Sequence, residues 1–178
     1  MKLERKFLVL ATVAGVVVVL DQLTKLYIHS GFGLGESVPV IRDIFHITYV
    51  RNTGAAFGIF RDVSELFRKL FFLSMPPIAM VIIVAMLRGV ANEDNWQVFS
   101  LSLIFGGAVG NYIDRLRFGY VIDFLDFHYK NVWSYPAFNL ADSAIVSGVC
   151  LLLVIMSVRD RSAKKSAKRL YSEKKQKA

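Results

Sequence analysis

Apolar residues in this chain come in long runs, not in the short alternations of a soluble fold. Four runs reach the roughly 20 residues that a helix needs to cross the hydrocarbon core of a bilayer. Phe7–Ile28 is interrupted only by Asp21 and Lys25, Leu70–Leu87 and Asn95–Ile113 are free of charge, and Val132–Val158 carries only Asp142. The pattern predicts an all-α membrane protein with four transmembrane helices, over about 7–28, 70–87, 95–113 and 132–158. Little chain is left over, so residues 1–158 read as one integral membrane domain and 159–178 as a basic tail. Pro76 and Pro77 remove two N–H groups inside the second run and predict a kink, which neighbouring helices tolerate. The first run follows Lys2, Arg5 and Lys6 as a signal peptide would, but no small-x-small site with a polar break follows, so an uncleaved span is expected.

The 29–69 segment has a different rhythm. IFHITYV (44–50) is rich in β-branched and aromatic residues and suits a short strand. A turn at Asn52-Thr53-Gly54 follows, then apolar Ala55, Ala56, Phe57, Ile59 and Phe60. A small sheet over about 40–60, lying on the membrane surface, is the expectation.

Composition supports a membrane protein. Hydrophobic residues make up 54% of the chain, above the ~45–50% of soluble domains. The net charge is +8, and nine Lys and Arg fall in the tail RDRSAKKSAKRLYSEKKQKA. A basic segment directly after a span reads as a topology signal and a contact for anionic headgroups, so nucleic acid is not an expected partner. With four spans, thirteen Lys and Arg lie on the side of the termini and eight on the other, which places both termini in the cytoplasm. Arg68 and Lys69, beside the second span on the outer side, run against that bias. Cys150 is the sole cysteine, so no internal disulfide exists; it is expected as a small buried apolar residue.

The polar residues inside these runs then need an account, because an ionisable group in a span is expensive and usually faces the bundle interior or water. In FNLADSAIV (138–146), Asn139, Asp142 and Ser143 share a face if helical. They suit either a hydrogen bond joining helices or a functional carboxylate. In GGAVGNYIDR (106–115), Gly106 and Gly110 permit close helix approach, and Gly107, Asn111 and Arg115 continue a neighbouring stripe. In YVIDFLDFHY (120–129), Asp123 and Asp126 sit among aromatic residues. In DQLTK (21–25), Asp21 and Lys25 are spaced for an i,i+4 ion pair. On the four-span topology these groups gather at one membrane face. His29, His46 and His128 lie outside the spans without zinc spacing, and no nucleophile elbow is present. Carboxylates remain. Two close carboxylates share a proton, so that one activates water while the other polarises a carbonyl.

In this order, DQLTK, RNTGAAF, GGAVGNYIDR, VIDFLDF and FNLADSAI resemble the bacterial lipoprotein signal peptidase (signal peptidase II) family over residues 21–146. The resemblance implies an intramembrane aspartyl endopeptidase of the bacterial inner membrane. It would cut signal peptides from diacylglyceryl-modified prolipoproteins just before the lipidated cysteine, without a cofactor. It implies catalytic Asp123 and Asp142, supported by Asp21, Lys25, Asn52, Gly107, Asn111, Arg115 and Asn139. It also implies a β element on the periplasmic surface, an active site near that face, and globomycin-type inhibitors that sit between the aspartates. Spacing alone leaves Asp126 as a rival to Asp123. Two other classes compete. A proton-coupled carrier or channel needs polar residues through the whole bilayer depth, and span two has only Ser74. A structural bundle partner would tolerate Asn at 123 and 142.

Overall fold

Eight elements follow one another: α1 (Arg5–Gly31), β1 (Ser37–Ile41), β2 (Phe45–Asn52), α2 (Glu65–Gly89), α3 (Asn95–Phe118), β3 (Val121–Tyr129), β4 (Trp133–Ser134) and α4 (Leu140–Gln176). The computed structural model describes residues 4–54, 64–130 and 132–176, with side chains through Ser166.

Three of the helices are long and apolar enough to cross a membrane: α1, α2 and the Leu140–Ser166 part of α4. α3 covers the third expected span as a continuous helix but is not among these three. Ser100, Ser102, Asn111 and Asp114 interrupt its apolar run, and all four are buried. α3 packs against α1, α2 and α4, so these polar groups face protein. The other helices turn apolar side chains outward. Val16, Val19 and Leu23 of α1, Val81 and Ile82 of α2, and Leu153 and Val154 of α4 are exposed, while Asp21, Lys25 and Asp114 are buried. In water this would forfeit about 1.5–3 kcal/mol per large apolar side chain; acyl chains cover the same face at no such cost. Cys150 is exposed, not buried, because α4 turns Gly148 toward α3 instead: a Cβ there would stand 2.7 Å from Ser100 O.

Glycine also sets how closely α3 meets its other neighbours. A Cβ at Gly107 would stand 2.3 Å from the carbonyl oxygen of Ala141, and one at Gly110 2.5 Å from Asp21 Oδ2. The two neighbouring stripes thus serve different helices, Gly106 and Gly110 facing α1 and Gly107 facing α4. α2 begins on the cap Ser64, whose Oγ accepts from Phe67 N, and runs through Pro76 and Pro77 as one helix.

The sheet is antiparallel throughout, in the order β1-β2-β3-β4. It starts earlier than expected, at Ser37, and its second strand ends at Asn52; Ala55, Ala56, Phe57, Ile59 and Phe60 lie outside the described residues. Pro39 is tolerated because β1 is an edge strand. One strand, β3, comes from the connection that the hydropathy pattern left between spans three and four, and β4 comes from the start of the expected fourth span. VIDFLDFHY is strand β3 because β2 offers it a partner, with Val50 opposite Asp123 and Asn52 opposite Val121. Ile28, Tyr49, Ile122 and Phe124 form an apolar cluster that fixes this sheet to the end of α1.

The last helix begins at Leu140, not at Val132. Trp133–Ser134 pairs with β3, Pro136 has no N–H for a helix, and Phe138 bridges to Leu125. The same helix continues past Val158 to Gln176. Arg159 ties it to Asp94 and to Gln97 Oε1 (2.7 Å).

Candidate active site

Asn139 stands immediately before the first turn of α4. Its Oδ1 accepts from Asp142 N at 2.9 Å, and Asp142 Oδ2 accepts from Asn139 N at 3.2 Å. This reciprocal pair is a capping box. The three-residue spacing thus closes the helix start and does not place both side chains on one helical face. The cap directs Asp142 back toward β3. Its Oδ1 accepts from Asn111 Nδ2 of α3 at 2.7 Å.

Asp123 reaches the same place from β3. Its Oδ1 accepts from Asn139 Nδ2 at 2.7 Å and its Oδ2 from Asn52 Nδ2 at 3.0 Å. Asn52 is oriented in turn, its Oδ1 accepting from Gly54 N at 3.0 Å. One asparagine therefore holds both aspartates, Asp123 through its side-chain amide and Asp142 through its backbone N–H. Asp123 and Asp142 line a common cleft of about 220 Å³ with Asn52, Arg115, Phe72 and the segment Tyr135–Phe138. Arg115 donates to Asn111 O at 3.3 Å and its guanidinium lies 5.3 Å from the centre of the Phe72 ring.

Burial pushes the Asp123 carboxyl up to about 7, and the nearby charge of Asp142 adds to the rise. Hydrogen bonds from Asn52 and Asn139 and the charge of Lys25 pull the other way. Desolvation wins because the charged form gives up water that two amide donors replace only in part.

Behind the aspartates lies a buried ionic cluster. Lys25 Nζ contacts Asp21 at 2.9 Å, Asp114 at 3.0 Å and Asn111 Oδ1 at 2.9 Å, which uses all three of its protons. The carboxylates continue outward. Asp21 Oδ1 accepts from Ala141 N at 2.9 Å, and Asp114 Oδ2 from Ile122 N at 3.0 Å. Ile122 precedes Asp123 and Ala141 precedes Asp142. The cluster thus pins the backbone beside each aspartate. Gln22 joins it, donating to Asp114 Oδ1 at 2.9 Å.

The residues expected together are therefore together: Asp123, Asp142, Asn52 and Arg115 on the cleft, Asn111 and Asn139 between the aspartates, and Asp21 and Lys25 behind. Gly107 lies outside the cleft and admits Ala141 against α3. Asp126 is separated from the cleft. An odd spacing turns it to the other side of β3 from Asp123, where Thr48 Oγ1 donates to it at 2.8 Å. Asp114 was legible only as part of the polar end of GGAVGNYIDR, without a role, and Gln22 only as a neighbour of Asp21 in DQLTK.

Known proteins of similar sequence and fold point to one family. The family model described as signal peptidase (SPase) II matches residues 13–158. The lipoprotein signal peptidase of Syntrophus aciditrophicus (strain SB) is 47% identical over 154 residues, covering 86% of this chain and 95% of that protein. That of Geobacter sulfurreducens is 46% identical over 143 residues, covering 80% and 88%. Two solved bacterial membrane enzymes share the fold. One has a TM-score of 0.75 at 35% identity, covering 87% of this chain and 90% of that one; the other has 0.73 at 33%, covering 83% and 91%. With most of its length matched in sequence and in fold, the chain belongs to the signal peptidase II family of membrane peptidases.

Proposed function

We propose that this enzyme is an aspartyl endopeptidase that removes signal peptides from diacylglyceryl-modified prolipoproteins, cutting before the lipidated cysteine. The observation that carries the reading is the shared asparagine. Asn139 holds both Asp123 and Asp142, and the two line one cleft. With its carboxyl raised to about 7, Asp123 holds the proton of the pair near neutrality. Asp142, held by Asn111 Nδ2 and Asn139 N, takes the role of the base.

The steps follow. Asp142 takes a proton from water as the water oxygen bonds to the scissile carbonyl carbon, and Asp123 gives its proton to the carbonyl oxygen. The resulting tetrahedral diol collapses. The C–N bond breaks, the leaving nitrogen takes the proton from Asp142, and a diol hydroxyl returns one to Asp123. No proton is gained or lost by the dyad over the cycle. Globomycin-type peptides would occupy the same cleft.

In the membrane, α3 is the fourth span, shielded from lipid by α1, α2 and α4. Both termini are cytoplasmic, and the sheet with its cleft lies at the periplasmic face of the inner membrane. The Lys and Arg bias and the gathering of polar groups at one end of the bundle support this orientation.

The test is reconstitution of the full chain in lipid with a diacylglyceryl-modified precursor. Asp123→Asn and Asp142→Asn should each lose on the order of 10²–10⁴-fold in cleavage rate, the range of one acid–base group. Processing by either variant at the unaltered rate rejects the dyad.

A further inference from the structure

A second cavity of about 250 Å³ adjoins the cleft and shares Asn52, Phe72 and Arg115 with it. Its other charged residues are Arg68, Lys69 and Glu65. Three cations against one carboxylate leave it positive. Among the described residues, neither Arg68 nor Lys69 has an ion-pair partner.

The position of these two cations is unfavourable by local rules. They stand close to the N-terminus of α2, where the helix dipole favours anions. On the four-span reading they also flank a span on the non-cytoplasmic side, against the usual bias. A compensating anion accounts for both. Depth and lining indicate its kind. The charge-free run Leu70–Leu87 begins directly after Lys69, so the cations stand where the helix leaves the hydrocarbon. Beyond them the cavity wall is apolar, formed by Phe72, Leu73 and Phe118. Cations at headgroup depth above an apolar wall match an amphiphile with an anionic head.

We propose that this cavity binds the phosphate of a bilayer phospholipid, with Arg68 and Lys69 as the recognising cations and the acyl portion along Phe72 and Leu73. A bound lipid there would form one flank of the entry to the cleft. Its placement at the outer leaflet rests on the orientation proposed above; binding itself is measured without any precursor, so it succeeds or fails independently of the peptidase mechanism.

The probe is phosphatidylglycerol, titrated onto the purified full chain and read by native mass spectrometry. Replacing both cations (R68Q/K69Q) should weaken binding about tenfold or more, on the scale of one unit of headgroup attraction per cation. Glu65→Gln should tighten it, a change that no loss of folding can imitate. Equal binding by the unaltered chain and R68Q/K69Q overturns the proposal. So does displacement of the lipid by millimolar inorganic phosphate, which would mark a site for the free anion. If R68Q/K69Q binds lipid normally but raises KM for precursor, the cations serve the peptide and the lipid assignment is wrong.

Discussion

Asn139 does three jobs with one side chain and one backbone N–H. It starts α4, holds Asp123 and holds Asp142. The proposed dyad is thereby coupled to a helix cap, and its proton would be set by the balance at Asp123. Burial and Asp142 raise that carboxyl to about 7, while Asn52, Asn139 and Lys25 oppose the rise. In the proposed mechanism the active form carries one proton, so precursor cleavage should fall as pH rises through about 7; the value observed belongs to the pair. Asn52→Ala removes a donor that favours the ionised form. The alkaline limb of the pH–rate profile should then move to higher pH, and a limb that stays or moves down contradicts the assignment. Stability carries the matching sign. A carboxyl raised from 3.8 contributes stability that is complete below 3.8 and is lost as pH climbs through about 7. Thermal unfolding in detergent should therefore show Asp123→Asn resisting alkaline pH better than the unaltered protein.

At the scale of elements, the site depends on how closely α3 lets α1 and α4 approach. Gly107 has the carbonyl of Ala141 where a Cβ would stand, at 2.3 Å, whereas Gly15 of α1 has nothing within 4 Å. Gly107→Ala must push the first turn of α4 away, and Asp142 with it. A loss of about 1–3 kcal/mol in stability is expected, together with a large loss of cleavage. Gly15→Ala changes the same atoms in open space and should be neutral or slightly stabilising, since alanine is the better helix former. Comparison of the two melting temperatures separates close packing from helix propensity. The strand β3 matters in the same way. It sends Asp123 to the cleft and Asp126 to the opposite side, so Asp126→Asn should leave cleavage near the unaltered rate.

For the molecule as a whole, polarity is inverted relative to a soluble protein, with apolar helix faces outside and an ionic cluster within. Lys25 joins α1 to α3 directly, and through Asp114 and Asp21 it braces β3 and α4. Lys25→Met would leave Asp21 and Asp114 buried without their cation. Breaking a buried pair from one side costs about 3–5 kcal/mol, and the midpoint of thermal unfolding should drop accordingly. Asp114→Asn keeps Lys25 paired with Asp21 and should cost less. If Lys25→Met melts like the unaltered chain, the cluster does not hold the bundle together. At the opposite end, Lys6 donates to Arg88 O and Val90 O at 3.0 and 2.9 Å and closes the turn between α2 and α3.

Hydropathy along the chain was enough to mark α1, α2 and the apolar part of α4, because a span must satisfy its backbone within itself and so advertises itself locally. The ordered polar motifs marked Asp142, the pair Asp123 and Asp126, and their polar neighbours as candidates; the fold brings Asp123 and Asp142 onto one cleft. Local sequence could not show that VIDFLDFHY is a strand, since a strand exists only where a partner edge is offered and β2 lies far back in the chain. For the same reason it could not separate Asp123 from Asp126, which side of a strand being meaningless before the strand is known. It placed the start of the last helix too early, because Val132–Phe138 is as apolar as a span and only pairing with β3 diverts it. It could not show that the polar groups of α3 are buried against α1, α2 and α4, because composition does not name a helix's neighbours. Residue type set which groups are too costly to leave in lipid; packing alone decided which of them meet.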